Sequence, residues 1–461
     1  MFKEPTDPFN TSYRYAAYPD ETTAQEAHRH FDIHRQIRNH ALYDKRQADP
    51  WNEPSKYTQH KRLTQWKQEW PIYQEVHSKA AQRTITQLHR DQTSLDELTA
   101  KGYKTGELKW KPPDEFTSVT YSQSGFELRR KKSGRTCVWL SKIGEIPINY
   151  HREIPEGVEI KEVCLKQEPT GEWFISLSTT TPWEEMPEKP SVEDIDADDM
   201  VGIDLGVLSF AYTSDGVAYG RVTLDKDYER LAREQRTLAR KEEGSNNWEK
   251  QRVKVARVKR RIRRRVLDYQ RKLALILVTE YDLIFVEDLR VKEMLEGDQS
   301  AKNKQDVAWA QFRHVLAHTA NKHGVHVVPV DARGTTMRCS GCDTSAWKPL
   351  WVREHLCPTC GLEVDRDQNS SWVILQDGVE LVNSGEADAD TESFGCFEAE
   401  NLGNGLAEVT PGETATAVLA NGGSVEPLVV SASRVVESGS PNREVGSPTL
   451  TERATPVVAS E

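Results

Sequence analysis

Residues 200–216 read MVGIDLGVLSFAYTSDG, and this stretch indicates the fold of the second half of the chain. The apolar run Val201–Leu205 predicts a buried strand that carries one carboxylate, Asp204, near its end. Val207–Thr213 predicts a second strand, and the Ser-Asp-Gly sequence at 214–216 is typical of the tight turn that closes a hairpin. Strand, carboxylate and hairpin therefore open an α/β unit at residue 200.

Segments downstream continue this α/β pattern. A long charged stretch over 226–280 has helical periodicity, and Leu283–Val286 is a continuous apolar run typical of a buried strand. A helix over Val307–Lys322 and a strand over Val325–Pro329 follow, and Asp365–Gln376 predicts a last helix. Because strands and helices alternate, we expect a multidomain α/β protein with helices packed on a sheet.

The first 183 residues follow a different pattern. Residues 1–21 and 101–183 contain short β-branched and aromatic segments broken by Gly and Pro, which predict antiparallel strands. Residues 22–100 carry apolar side chains at helical spacing and predict two or three helices. We therefore expect a β-rich domain with a helical insertion, followed by a Pro-rich acidic linker over 184–199.

Three carboxylates stand at the ends of predicted elements in the α/β half. Asp204 ends one strand, Glu287 ends the next apolar strand, and Asp367 lies in the first turn of the last helix. A buried carboxylate is costly unless it is neutralised, and hard divalent cations prefer oxygen ligands. Each residue alone could be an ordinary helix cap or strand end. Together they favour a site for two Mg²⁺ ions roughly 4 Å apart, which supports phosphodiester cleavage.

Four cysteines form two Cys-x-x-Cys pairs separated by 14 residues. This spacing is typical of a zinc ribbon, in which two knuckle turns close a tetrahedron of thiolates around one Zn²⁺ ion. A site with four protein thiolates has no open coordination position, so its predicted role is structural. The predicted zinc ligands are Cys339, Cys342, Cys357 and Cys360.

The net charge of −11 hides an uneven distribution. Residues 377–461 hold fifteen acidic residues and three arginines, a charge of −12, which leaves +1 for residues 1–376. The last 85 residues have no sustained periodicity, and we expect a disordered acidic tail there. The acidity therefore lies outside the segments with a predicted core.

One stretch is strongly basic. Residues 229–272 hold seventeen Lys and Arg against six Asp and Glu. A solvated helix face is the usual explanation of such a run, but its position between two candidate metal ligands favours binding to phosphate backbones. The predicted nucleic-acid-binding residues are Lys254, Arg257, Lys259, Arg260, Arg261, Arg263, Arg264 and Arg265.

Composition also excludes several classes of protein. No run approaches 18 uncharged apolar residues, so no membrane span is predicted. The N-terminus lacks a basic region followed by an apolar one, so secretion is not expected. Seven cysteines in 461 residues do not form a disulfide scaffold, and paired cysteines point to metal in a reducing, cytoplasmic compartment.

The three carboxylates, the basic stretch and the two cysteine pairs, in their order along the chain, resemble the TnpB (OrfB) proteins of bacterial and archaeal insertion sequences. Those proteins are RuvC-type nucleases related to type V CRISPR effectors. The resemblance covers about residues 12–376. The similar stretches are Val201–Gly206, the run from Gly244 to Lys250, Phe285–Leu289, the two cysteine pairs and Asp365–Asn369, with looser matches at Arg38–Tyr43, Leu108–Lys111 and Phe116–Ser118.

The resemblance implies an RNA-guided DNA endonuclease, with a guide RNA transcribed from the end of its own element and double-stranded DNA as its target. Asp204, Glu287 and Asp367 would be the Mg²⁺ ligands of one RuvC site. Asp367 is preferred to Asp365 because it lies two residues before Asn369, as in the family pattern.

The resemblance also implies a domain plan. The β-rich residues would form a barrel-like wedge domain and 22–100 a recognition insertion. An RNase H-like (RuvC) nuclease domain would occupy 200–334 and 362–376, with the zinc ribbon inserted at 335–361.

Two departures from the family bear on these expectations. Trp372 replaces a smaller residue after Asn369, and we expect it to pack without disabling the site. Family members are usually basic, whereas residues 1–376 carry only +1, which leads to the hypothesis of a halophilic archaeal source. Three alternatives stay open: a transposase acting directly on element ends, a nuclease-dead RNA-guided regulator, and a DNA-binding module without catalysis.

Overall fold

The computed structural model describes residues 8–384 except 289–307 and the single positions 101, 103, 114, 133, 156, 207, 332 and 350. The expected tail from 385 onward lies outside the described residues. Its first part does not: the last helix runs to Ser384, eight residues past its predicted end at Gln376. Within the described residues, no helix is long and apolar enough to cross a membrane.

The N-terminal half contains seven strands and three long helices among the described residues. One antiparallel sheet has the order β1-β7-β6-β2, and a second has the order β3-β4-β5. Both contribute to one apolar core, which includes Tyr15, Tyr121 and Ile146. The elements are β1 (Phe9–Ala17), α1 (Glu21–Gln47), α2 (Lys56–Glu69), α3 (Ser78–Ala100), β2 (Ser118–Ser122), β3 (Phe126–Arg130), β4 (Thr136–Leu140), β5 (Gly144–Pro147), β6 (Ile160–Gln167) and β7 (Trp173–Thr181).

The element order, with helices α1 to α3 between β1 and strands β2 to β7, is the order expected of a β-rich unit with a helical insertion. Whether the two sheets amount to the barrel-like wedge stays a prediction. The predicted linker, residues 184–199, packs against the α/β half of the protein. Ile195 is buried in the core of that half, and the Pro190 carbonyl contacts His326 Nε2 at 2.9 Å.

The second half is built on one mixed sheet of order β10-β9-β8-β11-β12. Strands β8, β11 and β12 are parallel, whereas β8, β9 and β10 form the antiparallel hairpin unit that the opening stretch predicted. The elements are β8 (Met200–Asp204), β9 (Ser209–Thr213), β10 (Ala218–Gly220), α4 (Asp225–Ala239), α5 (Asn246–Glu280), β11 (Leu283–Glu287), α6 (Trp309–His323), β12 (His326–Val330), β13 (Glu354–Leu356), β14 (Glu363–Asp365) and α7 (Arg366–Ser384).

Helices cover both faces of this sheet. Apolar residues of α5 and α6, such as Leu273 and Phe312, pack on one face, and Ile374 and Leu375 of α7 pack on the other. The approach of α7 is close because a Cβ on Gly202 would lie 2.3 Å from the Ser371 carbonyl oxygen. Glycine at this position therefore lets the backbone of α7 rest directly on β8, beside the end of that strand.

Candidate active site and cysteine cluster

Asp204 and Glu287 end two neighbouring parallel strands. Ile203 of β8 pairs with Val286 of β11, so the next residue of each strand reaches the same edge of the sheet. Both carboxylates are buried, with 6% and 4% of their surface exposed, and the charge of Glu287 contributes to the raised pKa of Asp204. Thr335 Oγ1 donates to Glu287 Oε1 at 2.6 Å, which fixes the orientation of that carboxylate.

Asp367 approaches this pair from the first turn of α7. Arg353 forms an ion pair with it, and burial still raises the pKa of Asp367 despite that guanidinium. Asp365 differs, because it is exposed and its Oδ1 accepts from the backbone N–H of Asp367 at 2.8 Å and of Gln368 at 3.3 Å. Asp365 thus caps the helix, while the negative charge of Asp367 acts on Asp204 and Glu287.

Electrostatic repulsion links the three carboxylates, which we call the carboxylate cluster. Burial, together with the charge of Asp367, raises the pKa of Glu287 to about 7 despite the hydrogen bond from Thr335. The pKa of Asp204 is raised well above its ordinary value by burial and by the charges of Glu287 and Asp367. Such a set favours a bound proton or cation, and its oxygen donors suit a hard divalent ion such as Mg²⁺.

The four cysteines also come together, and we call them the cysteine cluster. Their sulfur atoms all lie within 4.8 Å of one another, with Cys339 and Cys360 3.6 Å apart and Cys342 and Cys357 3.5 Å apart. Among the described residues, this is the one group whose ligand atoms meet so closely. Four convergent thiols fit the tetrahedral site predicted for zinc.

The cysteine segment is attached to the helix that carries Asp367. The side chain of Asn369 is buried, accepts from Ser340 N–H at 3.0 Å and donates to the Arg338 carbonyl at 2.7 Å. Farther along α7, Gln376 donates to the Ser340 carbonyl at 2.9 Å. The turn between Cys339 and Cys342 is therefore held by the same helix that carries Asp367. Strand β13 of this segment pairs with β14, which ends at Asp365, directly before α7.

Much of the predicted nucleic-acid-binding set is engaged inside the protein. Arg260 and Arg263 contact the buried Glu168 at 3.1 and 3.3 Å, in the turn between β6 and β7. Arg261 and Arg265 pair with Asp227 of α4.

The remaining four residues of the set differ from one another. Arg264 lies over the Phe174 ring at 5.9 Å. Lys254, Arg257 and Lys259 are exposed on the surface of α5. The basic helix therefore serves partly as a connection to the β-rich unit, a role that charge counting could not separate from nucleic-acid binding.

Sequence reasoning missed several residues of the site. No sequence pattern marks Arg353 or Thr335. Arg353 contacts Asp367, and Thr335 contacts Glu287, only in the folded chain. Asn369 was noted only as a marker for Asp367. Trp372 packs as expected, and its Nε1 donates to the Ser214 carbonyl at 2.7 Å.

Two family models and a solved structure match this chain. A family described as "Probable transposase", OrfB_IS605, matches residues 183–298, and a "Cas12f1-like, TNB domain" matches residues 309–374. A solved structure titled as a Cas12f1–sgRNA–target DNA complex has a TM-score of 0.51 and 13% identity, and covers 77% of this chain and 83% of that one. At this identity the likeness concerns the fold alone.

Two relatives align along most of their length. A Streptomyces pristinaespiralis protein named "Putative RNA-guided DNA endonuclease" is 32% identical over 381 residues, which cover 80% of this chain and 89% of the relative. The InsQ protein of Escherichia coli K12, named in the same way, is 27% identical over 398 residues, 81% of this chain and 94% of the relative. The chain therefore belongs to the TnpB (OrfB) family.

Proposed function

We propose that this protein is an RNA-guided DNA endonuclease of the TnpB type, encoded by a transposable element. A guide RNA from the element end would direct it to double-stranded DNA, and cleavage would occur at the carboxylate cluster. The observation that carries the proposal is the burial of Asp204 and Glu287 side by side, with the charge of Asp367 acting on both. Burial of neighbouring carboxylates is costly in free energy unless a cation binds to them.

The chain's own residues would prepare the site for cleavage. Asp204, Glu287 and Asp367 would hold two Mg²⁺ ions, which supply an activated water and stabilise the leaving oxygen in a RuvC-like hydrolysis. Thr335 would keep Glu287 in place through its 2.6 Å hydrogen bond. Arg353 pairs with Asp367, and its guanidinium would also bind a substrate phosphate.

The cysteine cluster would hold one structural Zn²⁺ ion. In the proposed domain plan, 1–21 and 101–183 form the wedge, 22–100 the recognition insertion and 184–199 a connector. Residues 200–334 and 362–376 would form the RNase H-like nuclease domain, with the ribbon at 335–361. Of the eight residues proposed to contact the phosphate backbone of a nucleic acid, three are the best candidates because they are exposed on α5: Lys254, Arg257 and Lys259.

A transposase that acts directly on element ends is the second candidate, since one matching family is described in those terms. The two differ in their need for RNA. We expect a discrete RNA to copurify with the protein and to map to DNA flanking its own gene. A preparation free of RNA that cuts element ends would favour the transposase and contradict our proposal.

We also propose a cytoplasmic location and a halophilic archaeal host. Paired thiols suit a reducing compartment, and the charge of +1 over residues 1–376 is low for a nucleic-acid-binding protein. Folding and cleavage should then require high salt. Purified protein that stays folded and active in low salt would contradict the halophilic source.

A further inference from the structure

Tyr212 lies directly across the sheet from Asp204, the first residue of the carboxylate cluster. The two residues pair in register between the antiparallel strands β8 and β9. Residues directly opposite each other in an antiparallel pair project from the same face, with Cβ atoms roughly 4.5–5.5 Å apart. Tyr212 is half-buried, so its side chain borders the cluster while part of its surface stays accessible.

The face that Tyr212 shares with Asp204 is the one covered by α7. Side chains alternate between the two faces of a strand, so positions 202 and 204 of β8 face the same way. A Cβ on Gly202 would lie 2.3 Å from the Ser371 carbonyl oxygen of α7, which identifies this face. The phenol of Tyr212 therefore lies on the α7 side of the sheet.

The first turns of α7 are attached to the end of β9. Gln368 Nε2 donates to the Ser214 carbonyl at 2.9 Å, and Trp372 Nε1 donates to the same oxygen at 2.7 Å. Ser214 comes two residues after Tyr212. These bonds hold the turn that carries Asp367 beside the strand that carries Tyr212.

The hydroxyl of Tyr212 makes no hydrogen bond within the part of the chain that the structure describes. The hydroxyl of Tyr281, in the same sheet domain, instead donates to Asp215 Oδ2 at 2.7 Å. Burial raises the pKa of the Tyr212 phenol, and so do the charges of Asp365, Asp367 and Asp215. The phenol therefore keeps its proton at neutral pH and is available as a donor.

A free donor beside three carboxylates suits a substrate that brings negative charge to the site. A DNA phosphate that is cut at the carboxylate cluster must place its non-bridging oxygens within reach of the surrounding side chains. Hydrogen-bond donors directed at oxygens that gain charge in the transition state lower the barrier to reaction.

We propose that the Tyr212 hydroxyl donates a hydrogen bond to a non-bridging oxygen of the scissile phosphate and stabilises the charge that develops there during cleavage. This inference rests on the proposed endonuclease function. Tyr212 would contribute this hydrogen bond alone, and no covalent bond to the tyrosine would form or break.

Removal of the hydroxyl tests the inference. With guide RNA, Mg²⁺ and a matched duplex, Tyr212→Phe should lower the single-turnover cleavage rate roughly tenfold to a hundredfold, as expected for one lost donor to a charged group. Affinity for the duplex and the melting temperature of the protein should stay near wild type, because the ring is retained. A melting temperature that falls together with the rate would overturn the inference in favour of a packing role.

Tyr281→Phe is the matched control, because it also removes one hydroxyl from the same sheet domain. It loses the hydrogen bond to Asp215, so its melting temperature should fall. Its cleavage rate should stay within about twofold of wild type, since that hydroxyl is already engaged inside the protein.

Sulfur substitution in the DNA identifies the partner atom. Two phosphorothioate duplexes replace one or the other non-bridging oxygen at the position where the wild-type protein cuts. Sulfur accepts hydrogen bonds weakly, so on one of the two duplexes the Tyr212→Phe defect should shrink to about threefold or less. Equal defects on oxygen and on both sulfur substrates would overturn the inference, and so would wild-type rates for Tyr212→Phe.

The wild-type reaction separates this inference from the proposed function. Cleavage at a fixed site whatever the guide would contradict the RNA-guided function, while the Tyr212→Phe and sulfur effects at that site would still support the hydrogen bond. RNA-guided cleavage that is unchanged in Tyr212→Phe would overturn the inference alone. Wild-type protein that cuts no DNA would overturn both.

Discussion

The carboxylate cluster and the cysteine cluster, the two proposed metal sites, each gather like groups, but they are built differently. Asp204, Glu287 and Asp367 come from two strands and a helix, more than 160 residues apart at the extremes. Burial raises the pKa of all three, and the charge of Asp367 adds to the rise at Asp204 and Glu287. The four cysteines lie within 22 residues, and their sulfur atoms meet within 4.8 Å. Long-range folding makes the first site, whereas local turns make the second.

This difference predicts opposite consequences of mutation. The carboxylates are held by a sheet that forms without them, and their repulsion opposes folding, so their loss should affect chemistry before stability. With the proposed zinc ion bound, the thiolates would hold their own segment together, so their loss should affect local structure first.

The largest effect is expected on cleavage by the carboxylates. Asp204→Asn or Glu287→Gln should lower Mg²⁺-dependent cleavage by roughly a thousandfold or more, because several kcal/mol of charge stabilisation would be lost. Thermal stability and binding of RNA and DNA should hardly change, since buried repulsion is relieved. Asp194→Asn, an exposed carboxylate of 184–199, serves as the control. Cleavage near the wild-type rate by either variant would contradict the site assignment.

The next effect concerns the cysteine cluster. Cys357→Ser should lose the zinc ion and disorder the ribbon, because metal binding and local folding are coupled. Cleavage should fall as a consequence, since Arg353, which lies between the two cysteine pairs, contacts Asp367. Metal content and limited proteolysis measure the change. Cys164→Ser, outside the ribbon, should keep its zinc, and a Cys357→Ser protein with full zinc would refute the coupling.

These two sites also differ in how far the sequence predicts them. The cysteine spacing alone indicates the ribbon, because the ligands are close along the chain. The carboxylates are found through their positions at strand ends, and the family pattern chooses Asp367. Arg353, Thr335 and the pairing of Arg260 and Arg263 with Glu168 could not be predicted, since these contacts join segments distant in sequence and depend on side-chain geometry.

A smaller effect is expected where α7 meets the sheet. Gly202→Ala would bring a methyl group to within 2.3 Å of the Ser371 carbonyl, so α7 must move away from β8. We expect a loss of about 1–3 kcal/mol in the free energy of unfolding, together with slower cleavage as Asp367 shifts. Chemical denaturation measures the free energy of unfolding. Gly106→Ala, with no atom within 4 Å of its added Cβ, is the control; equal stabilities would contradict the close approach.

A still smaller effect separates the two neighbouring aspartates. Asp365→Ala removes a helix cap and should cost about 1 kcal/mol of stability with most cleavage retained, whereas Asp367→Asn should abolish cleavage. Parallel cleavage and denaturation curves distinguish them. The reverse outcome, with Asp365 essential and Asp367 dispensable, would exchange their roles.

The smallest effect is expected from the acidic tail. Deletion of 385–461, just after α7 ends, should leave cleavage within about twofold of wild type. The truncated chain would lose most of the acidic excess, so its affinity for nucleic acid should rise slightly at low salt. Loss of activity on deletion would make the tail part of the catalytic machinery.

Guide exchange tests the central claim most directly. The purified protein is reconstituted with RNA from its element end carrying either of two guide segments, and offered duplexes matching each. We predict that the cut follows the guide, requires Mg²⁺ and disappears in Asp204→Asn. Cleavage at a fixed site whatever the guide, or cleavage that survives Asp204→Asn, would contradict RNA-directed hydrolysis at the carboxylate cluster.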